Sequence, residues 1–319
     1  MHIVNSVLEL IGNTPLVRLS KVAEGLDAEV LVKLEYMNPT GSIKDRVALN
    51  MIEEAEKRGD LKPGDTIVEA STGNTGTALS FIGMMKGYTV VIYETTPGHM
   101  SNEKRKLMVN YGAHVETLSP EFLDGVEGVV AGAEVERPGR AICFEREKNE
   151  PNIWWARQFS NPDAAKAQNQ TAEEILEQAG GSIDAYVSSI GTGGTLMGIA
   201  EVLKERLEHV KVIGAYPSSS KKPIVPGQPY PRTDFEGGTI SDMMDVPGLV
   251  DEVYKVTDEE AVEMAHRLWR EEGLFCGISA GANVLIALRV AEKLGKGKKV
   301  VTVLPDNGYR YMTDERYVT

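Results

Sequence analysis

Lys44 lies where a loop of small residues meets a predicted helix, in the stretch NPTGSIKDR at positions 38–46. The side-chain amine of a lysine can form a Schiff base with an aldehyde, and it must be neutral to react. A place near a helix start favours the neutral amine, because the positive end of the helix dipole disfavours an ammonium ion. Lys44 is therefore a candidate for covalent attachment of an aldehyde, although an ordinary residue of a helix start would also fit there.

Three further loops combine small residues with a following helix: STGNTG (71–76), GTGGT (191–195) and GISAGAN (277–283). Glycine lets the backbone come close to a ligand, and the free N–H groups of a helix start bind anions. In open α/β sheets, ligands bind at the carboxyl ends of strands. GTGGT is the best candidate phosphate site, because Thr192 and Thr195 add hydroxyl donors. The alternative for each loop is a tight turn that only links two elements.

The two common nucleotide-binding motifs do not match. GTGGTLMG departs from the dinucleotide pattern G-x-G-x-x-G, and no acidic residue ends the next predicted strand, KVIGAY. No loop has the P-loop pattern G-x-x-x-x-G-K-[ST]. Together with Lys44, the loops favour a phosphate-bearing cofactor that is not a dinucleotide.

The charge and composition narrow the possible partners. The chain has 319 residues and a formal net charge of -13, and such a protein repels nucleic-acid backbones, so no nucleic-acid partner is expected. We expect no membrane association either, because no secretory signal and no apolar run of ~20 residues is present. The two cysteines and five histidines lack metal-ligand spacing, which favours a cytoplasmic protein without a metal site. The basic stretch NEKRKLM (102–108) predicts a solvent-exposed helix face.

Apolar periodicity predicts alternating strands and helices, which is typical of parallel sheets covered on both faces. Asp163 is a candidate cap for a helix through 170–180. The stretch 217–248, rich in proline and glycine, predicts a long functional loop rather than a domain boundary. The predicted strands are 29–35, 66–70, 89–94, 114–118, 183–190, 211–216 and 299–305, and the predicted helices are 43–58, 77–86, 101–112, 170–180, 196–207, 258–273 and 281–295.

Five motifs in this order, NPTGSIKDR, STGNTG, GTGGT, GISAGA and LPDNGYRYM, resemble the cysteine synthase/cystathionine β-synthase family. These are pyridoxal 5′-phosphate (PLP) enzymes of the tryptophan-synthase-β type, fold type II, and the resemblance runs from 11–19 to 310–313. It implies two doubly wound three-layer α/β/α domains with mainly parallel sheets and PLP in the cleft between them. The smaller, mobile domain is expected at 40–145, and the larger, phosphate-binding domain at 1–39 plus 146–319. A homodimer is also expected.

The resemblance assigns roles to individual residues. Lys44 matches the lysine that binds PLP and acts as the catalytic base. Further cofactor contacts are expected from Asn74 at the 3′-oxygen, from Gly277 beside the ring and from the phosphate loop, which consists of Gly191, Thr192, Gly193, Gly194 and Thr195. The substrate carboxylate is expected at Ser71, Thr72, Gly73, Thr75 and Gln158.

Two stretches depart from the family pattern. Asn307 stands where the family generally has a serine at the pyridine nitrogen; both are neutral donors, and the alternative is that Asn307 only turns the loop. The stretch EGGTISDMMD (236–245) replaces a GIGAGF segment that many cysteine synthases carry. Arg232 and the pair Lys221–Lys222 could recognise a phosphorylated serine, or they could simply face solvent.

By this resemblance, the chain forms L-cysteine by β-replacement from O-acetylserine or O-phosphoserine and sulfide, through an aminoacrylate intermediate. The expected partners are an amino-acid substrate and sulfide or another thiol. The alternatives on the same scaffold are cystathionine β-synthase, cysteine desulfhydrase and diaminopropionate synthase activity. A binding or regulatory homologue without catalytic activity is a further alternative. Threonine dehydratase is more distant, because its lysine lies in a different local motif.

Overall fold

The computed structural model describes residues 3–71, 73–94, 101–118, 136–218 and 246–318. Within these ranges, strands and helices alternate along most of the chain and form two separate sheets. The strands are β1 Leu16–Arg18, β2 Glu29–Lys33, β3 Thr66–Ala70, β4 Thr89–Glu94, β5 His114–Thr117, β6 Ile153–Trp155, β7 Ala185–Ser189, β8 Lys211–Pro217, β9 Glu252–Val256 and β10 Lys299–Val303.

The helices begin and end mostly where local signals predict. Helices α1, α2 and α8 each end at a glycine in the left-handed conformation, which glycine adopts without steric cost. The α-helices are α1 Lys44–Arg58, α2 Asn74–Lys86, α3 Asn102–Asn110, α4 Arg137–Asn149, α5 Pro162–Lys166, α6 Asn169–Gln178, α7 Gly194–Arg206, α8 Asp258–Glu272 and α9 Ile278–Leu294, and short 3-10 helices lie at Val7–Leu10, Glu35–Met37 and Gly308–Tyr311.

The larger sheet has six strands in the order β1-β2-β10-β7-β8-β9. Only β1 runs antiparallel to its neighbour within this sheet. On one face, Val30 and Val300 pack with residues of α8 and α9, and on the other, Tyr186 and Val301 pack with residues of α6 and α7. Burial on both faces accounts for the almost continuous apolar runs in these strands.

The smaller sheet has four parallel strands in the order β5-β4-β3-β6. Ile67 and Ile92 pack with residues of α1 and α2 on one face, and Val68 and Val91 pack near Cys143 of α4 on the other. The predicted α/β fold with mainly parallel sheets is thereby confirmed. The division into domains at residues 40 and 145 remains a prediction; β6, which pairs with β3, lies beyond residue 145.

All seven predicted strands and all seven predicted helices are present, with ends shifted by a few residues. Apolar periodicity did not predict β1, β6 and β9. Strands β1 and β6 have three residues each, too few to show a period, and β9 is only partly buried. Periodicity also missed α4 and α5. None of the helices in the described ranges is long and apolar enough to cross a membrane.

The predicted cap at Asp163 is wrong. Asn161 caps the short helix α5, where its Oδ1 accepts a hydrogen bond from the backbone N–H of Asp163 at 2.9 Å. The Asp163 carboxylate instead accepts from Arg58 Nη1 at 2.7 Å. The helix through 170–180 is the separate α6, which begins at Asn169 without a side-chain cap.

Candidate active site

Four of the sequence motifs meet at Asp306, which follows β10 and is almost fully buried. The backbone N–H of Gly277 donates to the Asp306 carbonyl oxygen at 2.9 Å, and Asn74 Nδ2 donates to Asp306 Oδ2 at 2.7 Å. A backbone bridge joins Asp306 to Ser42, two residues before Lys44. The carboxyl ends of β3 and β10, which belong to different sheets, therefore meet beside the start of α1.

Lys44 is the first residue of α1 and is half-buried. Its backbone N–H donates to Ser42 Oγ at 3.3 Å, which satisfies one of the free donors of the helix start. Burial lowers the pKa of the Lys44 amine from 10.5 to about 8, although the carboxylates of Glu136 and Asp306 act in the opposite direction. A substantial fraction of the amine is therefore neutral near pH 8, as attack on an aldehyde requires.

A buried ion network fixes the first turn of α1 two residues after Lys44. Arg46 Nε donates to Glu35 Oε2 and Arg46 Nη1 donates to Glu174 Oε1, each at 2.8 Å. Lys33 Nζ lies 2.6 Å from Glu174 Oε2. Because Glu174 belongs to α6 and Lys33 to β2, the network ties the Lys44-bearing helix to the larger sheet and one of its covering helices.

Asn74 is held from both ends of its side-chain amide. Its Nδ2 donates to Asp306, and its Oδ1 accepts from Arg310 Nη1 at 3.0 Å. The Arg310 guanidinium also donates to the carbonyl oxygen of Thr40, and Tyr311 Oη donates to Asp306 Oδ2 at 2.6 Å. The amide orientation of Asn74 is therefore fixed by residues of the LPDNGYRYM motif, of which sequence reasoning assigned only Asn307 to the site.

Two glycines bring backbone into close contact with the same motif. A Cβ atom at Gly277 would lie 2.1 Å from Asp306 Oδ1, and one at Gly41 would lie 2.1 Å from Asn307 Nδ2. Gly41 also has a φ of 87°, which favours glycine. Asn307 Oδ1 and Asp306 Oδ1 are buried and have no hydrogen-bond partner among the described residues. Such orphaned acceptors in a cleft are consistent with a site built for a polar ligand.

The GTGGT loop forms the turn between β7 and α7. Gly193 caps α7 in the left-handed conformation, with a φ of 85°, and the backbone N–H of Gly194 donates to Thr192 Oγ1 at 3.3 Å. The loop thus ends at the N-terminus of a 13-residue helix, whose free N–H groups suit an anion. Buried Asn283 of α9 links the carboxyl ends of β7 and β10. Its Oδ1 accepts from Ser189 N at 2.6 Å, and its Nδ2 donates to the Val303 carbonyl oxygen at 2.8 Å.

The STGNTG loop is tied to Gln158. Ser71 Oγ accepts hydrogen bonds from the backbone N–H groups of Gly73 at 3.3 Å and Gly76 at 3.0 Å. Thr75 Oγ1 donates to Gln158 Oε1 at 2.7 Å, which places Gln158 next to the loop as predicted. Thr72 lies outside the described residues.

Comparison with known proteins decides the family. The sequence profile of the family described as pyridoxal-phosphate dependent enzyme matches residues 7–306. This chain belongs to that family. A cysteine synthase of Staphylococcus aureus (strain N315) is 40% identical, with coverage of 98% of this chain and 97% of the relative. The predicted resemblance is therefore confirmed, and the cofactor of this PLP-dependent enzyme is pyridoxal 5′-phosphate.

Two solved structures resemble this PLP-dependent enzyme over nearly its whole length. The crystal structure of an O-ureido-L-serine synthase matches with a TM-score of 0.84 at 34% identity, covering 99% of this chain and 96% of that one. A cysteine synthase from Entamoeba histolytica matches with a TM-score of 0.83 at 34% identity and covers 99% and 91% of the two chains. The fold is thus shared along nearly the whole chain.

The residues of the cleft fit PLP. A carboxyl-end loop with a helix N-terminus suits the phosphate group, and the half-buried Lys44 amine, with its lowered pKa, suits the aldehyde. Asn307 has side-chain N–H donors on its neutral amide, which suit an unprotonated ring nitrogen. The residues expected to hold the cofactor of this PLP-dependent enzyme thus have chemistry that suits the groups of PLP.

Lys104 corrects one prediction from the sequence. The stretch NEKRKLM was predicted to be a solvent-exposed helix face, but Lys104 of α3 is only partly exposed. Its Nζ lies 4.4 Å from the centroid of the Tyr311 ring and 3.9 Å from a Cβ position at Gly73. Burial lowers the pKa of the Lys104 amine, while Asp306 acts in the opposite direction. The PLP-dependent enzyme thus has a second amine beside its STGNTG loop.

The long loop of this PLP-dependent enzyme falls mostly outside the described residues. This applies to Arg232, to Lys221–Lys222 and to the stretch 236–245. Their predicted roles in substrate recognition stay predictions.

The lowered pKa of Lys44 predicts how fast PLP attaches to the cofactor-free protein. Only the neutral amine attacks, so the rate constant should rise about tenfold per pH unit below pH ~8 and level off above it. An unshifted lysine would level off only near 10.5. Stopped-flow absorbance across this pH range measures the profile, and a rate that still rises steeply above pH ~9 would contradict the assignment. Because Glu136 raises the pKa of Lys44, Glu136→Gln should move the plateau to lower pH.

The position of Gly198 in α7, the helix that follows the GTGGT loop, predicts a packing requirement. A Cβ atom at this position would lie 1.9 Å from the carbonyl oxygen of Ala165, so Gly198→Ala must push α7 away from the end of α5. Alanine normally stabilises a helix relative to glycine by ~1 kcal/mol, but here we expect a loss of about 1–3 kcal/mol and weaker PLP binding. Denaturant unfolding and cofactor dissociation measure the two effects. The control is Glu201→Ala on the exposed face of α7, which should change stability by less than ~0.5 kcal/mol.

Proposed function

We propose that this chain makes L-cysteine by PLP-dependent β-replacement from an O-activated L-serine and sulfide. One observation carries the proposal: the half-buried amine of Lys44 lies at the junction where four family motifs meet around Asp306. Proteins named cysteine synthase, 40% identical over almost the full length, support this reaction. A chain that had lost the chemistry would have no need of a lysine with a lowered pKa at this place.

The proposed role of Lys44 is to hold the cofactor and then to act as the general base. When bound, PLP supplies the aldehyde that the Lys44 amine joins and a ring system that takes up negative charge from the substrate Cα. As the general base, the Lys44 amine would remove the Cα proton of the substrate. Glu136 and Asp306, which raise the pKa of Lys44, stabilise the ammonium ion that results.

Other residues are proposed to position the cofactor. Asn74, fixed by Asp306 and Arg310, keeps one orientation toward the 3′-oxygen. Gly191 to Thr195 hold the phosphate, and Gly277 lies beside the ring. Asn307 would donate a side-chain N–H to the ring nitrogen as a neutral amide, whereas a carboxylate there would keep that nitrogen protonated. A less electron-withdrawing ring favours elimination and replacement at Cβ over transamination.

The substrate carboxylate is proposed to bind at Ser71, Thr72, Gly73, Thr75 and Gln158. The hydrogen bonds of Ser71 with the Gly73 and Gly76 backbone, and of Thr75 with Gln158, support a preformed loop. We also propose that the smaller domain at 40–145 closes over the bound substrate and excludes water. A homodimer and a cytoplasmic location are further proposals that rest on the family resemblance.

The reaction is tested by product analysis. The holoenzyme is incubated with serine, O-acetylserine or O-phosphoserine, each with sulfide or homocysteine, and products are identified by mass spectrometry. The proposal expects cysteine from an O-activated serine and sulfide. Cystathionine as the main product would overturn it in favour of cystathionine β-synthase activity, and a protein that stays colourless after PLP addition would indicate a binding homologue.

One observation keeps a second nucleophile under consideration. An O-ureido-L-serine synthase is a near structural match, with a TM-score of 0.84 and 34% identity. Hydroxyurea is therefore added to the same product analysis as an alternative to sulfide. A larger kcat/KM with hydroxyurea than with sulfide would reassign the physiological nucleophile while leaving β-replacement in place.

A further inference from the structure

The carboxylate of Glu136 lies in the candidate active site, although Glu136 belongs to none of the sequence motifs. The residue precedes α4, and only 8% of it is exposed. Gln158 Nε2 donates to Glu136 Oε2 at 3.1 Å. The Glu136 carboxylate also acts electrostatically on the amine of Lys44, more strongly than Asp306 does. Glu136 therefore contacts Gln158, the residue proposed to grip the substrate carboxylate, and is near enough to Lys44 to act on its amine.

The contacts of Gln158 leave no donor for a substrate. A glutamine amide has two N–H donors and one carbonyl acceptor. In Gln158, one N–H donates to the Ala70 carbonyl oxygen at 2.9 Å, the other donates to Glu136, and the Oε1 accepts from Thr75 Oγ1. The bond to Ala70 joins Gln158 to the end of β3. The donor that faces Glu136 is the one that a substrate carboxylate can take over by replacing another carboxylate.

We propose that Glu136 occupies the carboxylate position of the substrate in the free enzyme, so that it sets the affinity and selectivity for α-carboxylates. The inference rests on the proposed function, which places the substrate carboxylate at Gln158. A substrate carboxylate must displace Glu136 and must bind near a like charge, and both effects weaken binding. Ligands without a carboxylate do not compete for this donor, so Glu136 affects them little.

The experiment compares two ligands that cannot react further at Cβ. Holoenzyme is titrated calorimetrically with L-alanine, which has the α-carboxylate but no leaving group, and with L-alaninamide, which lacks the carboxylate. In Glu136→Gln, a neutral amide replaces the charged competitor, and the Kd for L-alanine should fall about tenfold, whereas the Kd for L-alaninamide should change less than about twofold. Glu136→Ala should act in the same direction, at least as strongly.

The matched control is Glu145→Gln, which makes the same charge change on the exposed side of α4. It should leave both dissociation constants unchanged, and circular dichroism checks that all variants fold. Equal tightening of both ligands, or no tightening of L-alanine in either Glu136 variant, would overturn the inference. Cysteine formation by the unaltered enzyme is measured separately, so a failure of the proposed function is distinguishable from a failure of this inference.

Discussion

Replacing Lys44 by alanine should lower kcat/KM for cysteine formation by at least ~10³-fold, because the cofactor loses its covalent anchor and the reaction loses its general base. The measurement is steady-state kinetics with the O-activated serine that gives the highest activity. Reduction with borohydride followed by peptide mapping should place the pyridoxyl group on Lys44 in the unaltered protein and on no lysine in the variant. A small amine such as ethylamine should restore part of the lost rate in the variant, because it can replace the missing base.

Lys57→Ala is the control for this prediction. Lys57 lies on the same helix, α1, but it is exposed and pairs with Glu54 at 2.6 Å. Exposed ion pairs contribute little, so stability should change by less than ~1 kcal/mol and activity should be retained. Unchanged activity in Lys44→Ala, or a label on another lysine such as Lys104, would show that the aldehyde binds elsewhere in the cleft.

Glu174→Ala should lower the free energy of unfolding by about 3–5 kcal/mol, because it leaves Arg46 and Lys33 buried without their shared carboxylate. Burial alone would raise the pKa of Glu174, but Arg46 and Lys33 outweigh it and lower the pKa to about 2. The stabilisation is therefore present above the ordinary value of 4.5 and is lost as the pH falls toward about 2. Urea unfolding at several pH values should show that the difference in the free energy of unfolding between the unaltered protein and Glu174→Ala decreases as the pH falls.

Glu173→Ala provides the matched control on the neighbouring position of α6. Its carboxylate pairs with Arg206 at 2.7 Å, and the two side chains are 49% and 58% exposed. Removal of such an exposed pair should cost less than ~1 kcal/mol at any of these pH values. Equal losses in the two variants would mean that the buried network contributes nothing beyond an exposed pair.

The sequence predicts the parts of this protein that depend on local patterns. Lys44 and the loops at 71–76, 191–195 and 277–283 stand out because they combine small residues with helix starts, where the backbone can approach a ligand. The strands of the two sheet centres are also predictable, since burial on both faces requires continuous apolar runs. Short edge strands such as β1 and β6 lack enough residues to show a pattern.

The partners of the site residues could not be predicted, because they come from distant parts of the chain. Asn74 is held by Asp306 and Arg310, more than 200 residues away in sequence. Glu136 belongs to no motif and reaches the site only because α4 packs on the smaller sheet. The charged residues around Lys104 predict a solvent-exposed helix face, whereas in the structure the Lys104 amine lies over the ring of Tyr311.

The order of the strands affects how the chain can fold during synthesis. Of the strands described, β10 is translated last, yet it lies in the middle of the larger sheet, between β2 and β7. These two strands cannot be joined until residues 299–303 have left the ribosome. Until then, β2 and β7 expose unpaired edges that other chains can bind. The smaller sheet can form earlier, because all its strands lie in the contiguous stretch 66–155. A nascent chain released before β10 is made would therefore have a complete smaller sheet and an incomplete, aggregation-prone larger sheet.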